Sequence, residues 1–290
     1  MMNNLIKTPG VKIPVFILAC SICQMAIADE FRDLNFALLD AVKSGDVAQT
    51  EKLLAQGASV KARNRFGNSA LMYAAREGHL VLTGLLVDSG SDINLINTNG
   101  DTAILGAAEN GHFEVVQYLV DKGADVNHYN LRKITPLVAA VYAENVPTVR
   151  LLLEHNAATD IEDNTGKSAL LYAAANGNTE ILKLLLDYET DINRQHGNNL
   201  TALMWASGYG NIDAAQILLD RGANPDLQDN RGRTALMMAA SEGHTDLVGL
   251  LVRHGADRML ADREGKTAID LAVLNHRPEV EKMLSDDGSE

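Results

Sequence analysis

The sequence predicts an all-α solenoid, about eight helix-turn-helix units stacked in a row and joined by β-hairpin-like turns. Three observations point there. A short motif recurs every 33 residues without an insertion, and three sets of glycines keep the same period. The chain is also rich in Ala and Leu yet only 4% aromatic. That mix suits short, closely packed helices rather than a Val- and Tyr-rich β-sandwich.

The motif is a small hydroxyl residue, then Ala or Pro, then Leu or Ile. It appears as Ser69-Ala70-Leu71, Thr102-Ala103-Ile104, Thr135-Pro136-Leu137, Ser168-Ala169-Leu170, Thr201-Ala202-Leu203, Thr234-Ala235-Leu236 and Thr267-Ala268-Ile269. One period earlier lies Phe36-Ala37-Leu38, a degenerate first copy. Units therefore fall near residues 31–63, 64–96, 97–129, 130–162, 163–195, 196–228, 229–261 and 262–284. The hydroxyl can accept a backbone N–H at a helix start, worth about 1 kcal/mol.

The glycines mark the ends of each helix. One set, which includes Gly78, Gly111 and Gly177, follows the first helix; a second, with Gly90 and Gly123, follows the second helix. A third, with Gly67, Gly100 and Gly166, precedes the next motif. These are places where the chain needs positive φ, which a Cβ makes costly. Helices of about eight to ten residues are marginal alone, so each depends on its neighbours. Stacking Ala74-Ala75 faces and Leu85-Leu86 faces builds a quasi-one-dimensional core. The first copy carries Asp33, Asp40, Lys43 and Asp46, and the last carries Glu279, Glu281 and Lys282 before a polar tail, 285–290. Polar outer faces of this kind close a finite stack.

Residues 1–28 read as a signal peptide. Lys7 and Lys12 precede a short apolar run, Ile13 to Ala19, and Ala26-Ile27-Ala28 presents small residues for cleavage before Asp29. Cleavage after Ala28 places the mature chain in the periplasm or outside the cell. Lipoprotein processing at Cys20 is the alternative. The apolar run is too short and interrupted for a membrane span, and no later segment approaches one, so no membrane insertion of the mature chain is expected. Both cysteines, Cys20 and Cys23, lie in this segment. Losing two lysines and no acids takes the formal charge from −13 to about −15. An acidic surface repels phosphate backbones, which disfavours nucleic acid and anionic membranes as partners. It also keeps a long, thin molecule soluble.

Several patterns imitate chemistry. Gly166-Lys167-Ser168 and Gly265-Lys266-Thr267 look like the end of a phosphate loop, but Ile161 and Leu260 stand where its first glycine belongs. His79, His112 and His244 occupy one slot in different units, about 10 Å apart or more, too far to share an ion. Asp92, Asp125, Asp191, Asp226 and Asp257 lie at or near one turn position and read as turn formers. No nucleophile elbow occurs. The sequon Asn199-Leu200-Thr201 uses a motif Thr and reads as coincidence. Neither catalytic residues nor a cofactor or metal site is expected.

The residues match a known pattern. Gly123-Ala124-Asp125-Val126-Asn127, with Thr234-Ala235-Leu236-Met237-Met238-Ala239-Ala240 and Gly243-His244, resembles the ankyrin repeat over roughly residues 31–284. One departure is systematic. The family's His after Leu is here Met72, Leu105, Val138, Leu171, Met204, Met237 and Asp270, which puts turn rigidity in question.

The resemblance implies a monomeric, non-enzymatic scaffold that binds another protein through its hairpin tips and first helices, which form a concave surface. Narrower versions are an immunity or inhibitor protein and a protective partner of an exported enzyme. Most positions on that surface are polar. The fourth unit differs: Tyr129, Leu131, Ile134 and Tyr142 map to it, with Phe66, Ile96, Leu200 and Tyr209 on neighbouring units. It lacks glycine at Lys133 and Glu144 and carries Pro147 in its second helix. An apolar, Tyr-bearing patch rimmed by polar groups suits an interface. The alternative is an irregular unit whose side chains fold back onto their neighbours. Trp205 shares a slot with Tyr73 and Tyr172 and reads as core.

Overall fold

The computed structural model describes residues 31–188 and 191–285. The expected signal segment 1–28, with Cys20 and the expected cleavage point after Ala28, lies outside the described residues, as does the tail beyond Ser285. Sixteen α-helices follow in pairs. They are α1 (31–43), α2 (Val47–Ala55), α3 (Ala70–Arg76), α4 (Leu80–Asp88), α5 (Ala103–Glu109), α6 (Phe113–Asp121), α7 (Pro136–Tyr142) and α8 (Val146–Glu154). The second half comprises α9 (Ala169–Asn176), α10 (Thr179–Tyr188), α11 (Ala202–Tyr209), α12 (Ile212–Asp220), α13 (Ala235–Glu242), α14 (Thr245–Arg253), α15 (Ala268–Leu274) and α16 (Pro278–Ser285). From α3 to α15 each odd helix starts 33 residues after the last. No helix among the described residues is long and apolar enough to cross a membrane.

From α3 onward each odd helix packs on the next odd one and the two of a pair on each other, and from α2 onward each even helix packs on the next even one. The odd helices make closer contact with one another than the even ones do. The core is continuous. Ala74, Ala107, Ala140, Ala173, Ala206 and Ala239 line the odd-helix seam, and Leu86, Leu119, Leu152, Leu185, Leu218 and Leu251 the even-helix one. Alanine lets short helices touch, and each sealed Leu adds roughly 2 kcal/mol.

The motif hydroxyls act as foreseen. Ser69, Thr102, Thr135, Thr201 and Thr234 accept the N–H of the residue three positions on. Ser168 does not, and its hydroxyl has another use, below. At Thr267 the carboxylate of Asp270 reaches back to both the backbone N–H and the hydroxyl.

The fourth unit keeps its turns at a cost. Lys133 (φ 58°), Glu144 (φ 52°) and Asn156 (φ 61°) occupy its three glycine slots, all in the left-handed region. A Cβ there costs roughly 1–2 kcal/mol, less for Asn. Pro147, by contrast, is no irregularity. It falls in the first turn of α8, where no intrahelical N–H is needed.

Candidate protein-binding surface

Seven hairpins project beside the odd helices, built around positions 64, 97, 130, 163, 196, 229 and 262. At six of them an Asn or Asp folds its Oδ1 over the turn and accepts two backbone N–H groups, two and four residues on. Asn97 does so from Asn99 (2.8 Å) and Asp101 (2.9 Å), and Asp163 from Thr165 (2.7 Å) and Lys167 (3.0 Å). These bonds hold the turns without the family's His, whose slot is filled by buried Met72, Leu105, Val138, Leu171, Met204 and Met237. Successive hairpins are then tied by backbone bonds, among them Leu131 N–H to Asn99 O (2.9 Å) and Asn164 N–H to Arg132 O (3.2 Å). The tips thus form a stiff, evenly spaced comb.

An opening in the comb lies at the fourth repeat. α7 and α9 pack less closely than any other described pair of neighbouring odd helices from α3 onward. Small Ala139 and Ala143 sit there, and a pocket of about 500 Å³ opens, walled by Tyr142, Tyr172, Ile134 and Val138 and rimmed by Arg132, Glu109, Asp163 and Asn164. Tyr142 stands edge-on to Tyr172, with ring centres 5.6 Å apart. The Tyr172 hydroxyl donates to Asp163 Oδ2 at 2.6 Å. Burial, the hydrogen bond to Asp163 and that residue's charge push this phenol up to about 12. Burial also works against the Asp163 charge, but bonds from Tyr172, Thr165 and Lys167 outweigh it and hold the carboxyl below its ordinary value. Beyond Tyr172, the Lys167 ammonium lies 5.4 Å from its ring centre and 4.9 Å from that of Trp205, on which Tyr209 stacks at 5.5 Å.

A family model described as Ankyrin repeats (3 copies) matches residues 38–130, 128–196 and 203–290, most of the chain. The chain belongs to the ankyrin-repeat family. No curated protein matches it. Ankyrin repeats are protein–protein interaction modules in general. The break between the second and third matches, residues 197–202, falls on the one hairpin built around His rather than Asn or Asp.

Within this ankyrin-repeat stack the eight residues singled out from sequence part into two groups. Leu131 (72% exposed), Tyr142 (69%), Tyr209 (61%), Phe66, Tyr129 and Ile96 reach solvent. Ile134 and Leu200 are half-buried and packed against the core. Ile134 and Tyr142 meet in the pocket, and Tyr209 joins through Trp205 and Lys167. Phe66 lies under the Arg65 guanidinium, and Tyr129 stacks on His128, both away from that pocket. Trp205 is half-buried against the core, as its slot implied.

The sequence reading missed the hairpin of repeat six. His196 is buried, with Nδ1 3.0 Å from Glu162 Oε1 and Nε2 3.5 Å from Ser168 Oγ. A carboxylate only accepts, so Nδ1 carries the proton and Nε2 takes the Ser168 hydroxyl hydrogen. The order Ser–His–Glu is that of a hydrolytic triad, yet Ser168 is 0% exposed and no substrate can meet its oxygen. The chain of bonds instead ties His196 of repeat six, where an Asx turn is absent, to Ser168 of repeat five and to Glu162 at the end of repeat four. The signal was present: position 196 is the one member of its series that is neither Asn nor Asp.

The imitators resolve in the same register. His112 Nε2 lies 3.0 Å from Arg76 O, reaching back to the preceding repeat, and Asn145 and Asn211 do the same from its slot. Among the described residues no group of three or more His, Cys, Asp or Glu could hold a metal ion. Asp92, Asp125, Asp191 and Asp257 each accept the N–H two residues on, as turn formers do. Asp226 sits two positions off. It takes the role of Asn94 and Asn127, accepting an N–H from the next repeat.

Proposed function

We propose that this ankyrin-repeat protein is an exported scaffold, periplasmic or secreted, that grips one partner protein on the inner face of repeats three to six. The supporting observation is the coincidence, in the fourth repeat, of exposed Leu131 and Tyr142 with the pocket between α7 and α9. Exposed aromatic and aliphatic groups at a concave, otherwise polar face are what binding hot spots are made of. Three left-handed non-glycine residues in that same repeat point the same way, because strain is retained where surroundings have a use for the shape.

Two experiments test this. Cell fractionation with mass spectrometry of the mature chain should find it outside the cytoplasm, starting at Asp29. A cytoplasmic, full-length product would remove export from the proposal. Affinity capture from envelope extract, repeated with Tyr129, Leu131 and Tyr142 changed to Ala, should lose the partner. Undiminished capture by the triple variant would place the binding surface elsewhere.

A further inference from the structure

We propose that the pocket between α7 and α9 receives an apolar side chain of the partner that is flanked in the partner's sequence by a carboxylate. This rests on the reading above, that the inner face binds a protein, and adds the chemistry of the anchor. The pocket's about 500 Å³ falls among the roughly 300–1,000 Å³ typical of ligand sites, enough for an aromatic or branched side chain and adjoining backbone. Its floor and walls are Ile134, Val138, Ala139 and Ala143 with the two tyrosine rings. An apolar group entering there covers carbon surface that the opening of α7 from α9 leaves bare.

The aromatic walls could equally suggest a cation; Glu109 stands on the α5 side of the rim, and the charges on the hairpin side decide against a cation there. Lys167 already lies over Tyr172, and the Arg132 guanidinium stands on the rim, so a third cation would be repelled. Asp163 offers it nothing. Its Oδ1 accepts from the Thr165 and Lys167 N–H groups and the Thr165 hydroxyl, and its Oδ2 from Tyr172. Conversely, among the described residues no carboxylate forms an ion pair with Arg132, Lys133 or Lys167. The rim on the hairpin side is therefore an open anion seat beside an apolar hole.

The wider charge distribution agrees. The seven six-residue hairpins from 63–68 to 261–266 hold nine Lys and Arg against six Asp and Glu, whereas the even helices hold five against twelve. The molecule is acidic overall, yet its comb of tips is net basic. An acidic segment is drawn to the tips, and its apolar neighbour can enter the tyrosine-walled pocket beside them.

Panning a random linear peptide library on the purified full chain tests this directly. Enriched peptides should share a Phe, Tyr, Leu, Ile or Met next to Asp or Glu. Their affinity should fall about tenfold in R132E, the scale of reversing one interfacial charge, and at least as much in Tyr142→Ala and in pocket-filling Ala143→Phe. Circular dichroism confirms that each variant is folded. Peptides with basic neighbours, or binding that ignores R132E while failing in Tyr142→Ala, would overturn the carboxylate rule and leave the inner-face reading standing. Peptides indifferent to all three variants, or no enrichment, would overturn both.

Discussion

Replacing Lys133 and Glu144 by Gly should make the protein more stable although no contact is gained. Both residues sit where the other repeats place glycine, at φ 58° and 52°, against 73° to 78° for Gly67, Gly100, Gly166 and Gly177. Both side chains are exposed. A non-glycine residue in this region costs roughly 1–2 kcal/mol, and glycine gives back about 0.5–1 through the freer unfolded chain. The difference is about 0.5 kcal/mol per site and about 1 kcal/mol for the pair, since the sites lie in separate turns. For a chain of this size that is a rise in Tm of about 2–4 °C. Urea unfolding followed by circular dichroism measures the change, and hydrogen exchange should place it in α7 and α8. Lys133→Ala is the control, because it keeps the Cβ and should gain nothing. If Ala stabilises as much as Gly, or if Gly destabilises, the strain is not in the backbone and the reasoning fails.

Three further outcomes concern buried and half-buried polar groups. Ser207→Ala should stabilise by about 1 kcal/mol, because its buried hydroxyl has no hydrogen-bond partner among the described residues and Ala fills the equivalent position at 75, 108, 174 and 240. A loss in urea unfolding would mean that the hydroxyl is satisfied. Asp163→Ala should cost roughly 2 kcal/mol, since four donors lose their acceptor; its depressed carboxyl contributes stability that is present above the ordinary carboxylate pKa and is lost as pH falls through the lowered value. Tyr172 acts at the other end of the scale. Its folded value is raised to about 12, so the unfolded chain releases the proton first, and stability intact below about pH 10 should decline between about 10 and 12. Tyrosinate absorbance should show one late-titrating phenol that Tyr172→Phe removes, and an unchanged alkaline decline in that variant would show that the bond to Asp163 is not its source.

The fold was legible because it is local and repeated. A helix start at each hydroxyl, a stop at each glycine and a shared apolar face fix one unit, and the constant spacing copies it. Where one position departed from its series, legibility depended on knowing what the position does. Pro147 looked like damage from composition alone, yet the first turn of a helix has no use for the missing N–H. His196 looked unremarkable, because the Asx role of its series becomes visible only when the Oδ1 bonds of residues 97, 130 and 163 are seen together. Its partners, Glu162 and Ser168, lie 34 and 28 residues away, in earlier repeats.

The candidate surface was legible as a set of residue types, and less so as a shape. Exposure of Leu131 and Tyr142 follows from their place in the unit, but nothing in residues 129–142 taken alone says that α7 stands off from α9. That depends on pairs formed across the boundary, small Ala139 and Ala143 facing a Tyr172 whose ring is held by its own hairpin through Asp163. Ile134 turns inward for a related reason. Its successor one period on is Lys167, whose charge must stay wet and so lies over the rings of Tyr172 and Trp205, whereas an isoleucine gains by leaving water. One change in side-chain chemistry at a repeated position thus closes the groove with a cation between repeats five and six and leaves an apolar wall between repeats four and five. In a stack whose backbone is nearly the same at every step, such substitutions at one slot are where two neighbouring grooves acquire different ligands.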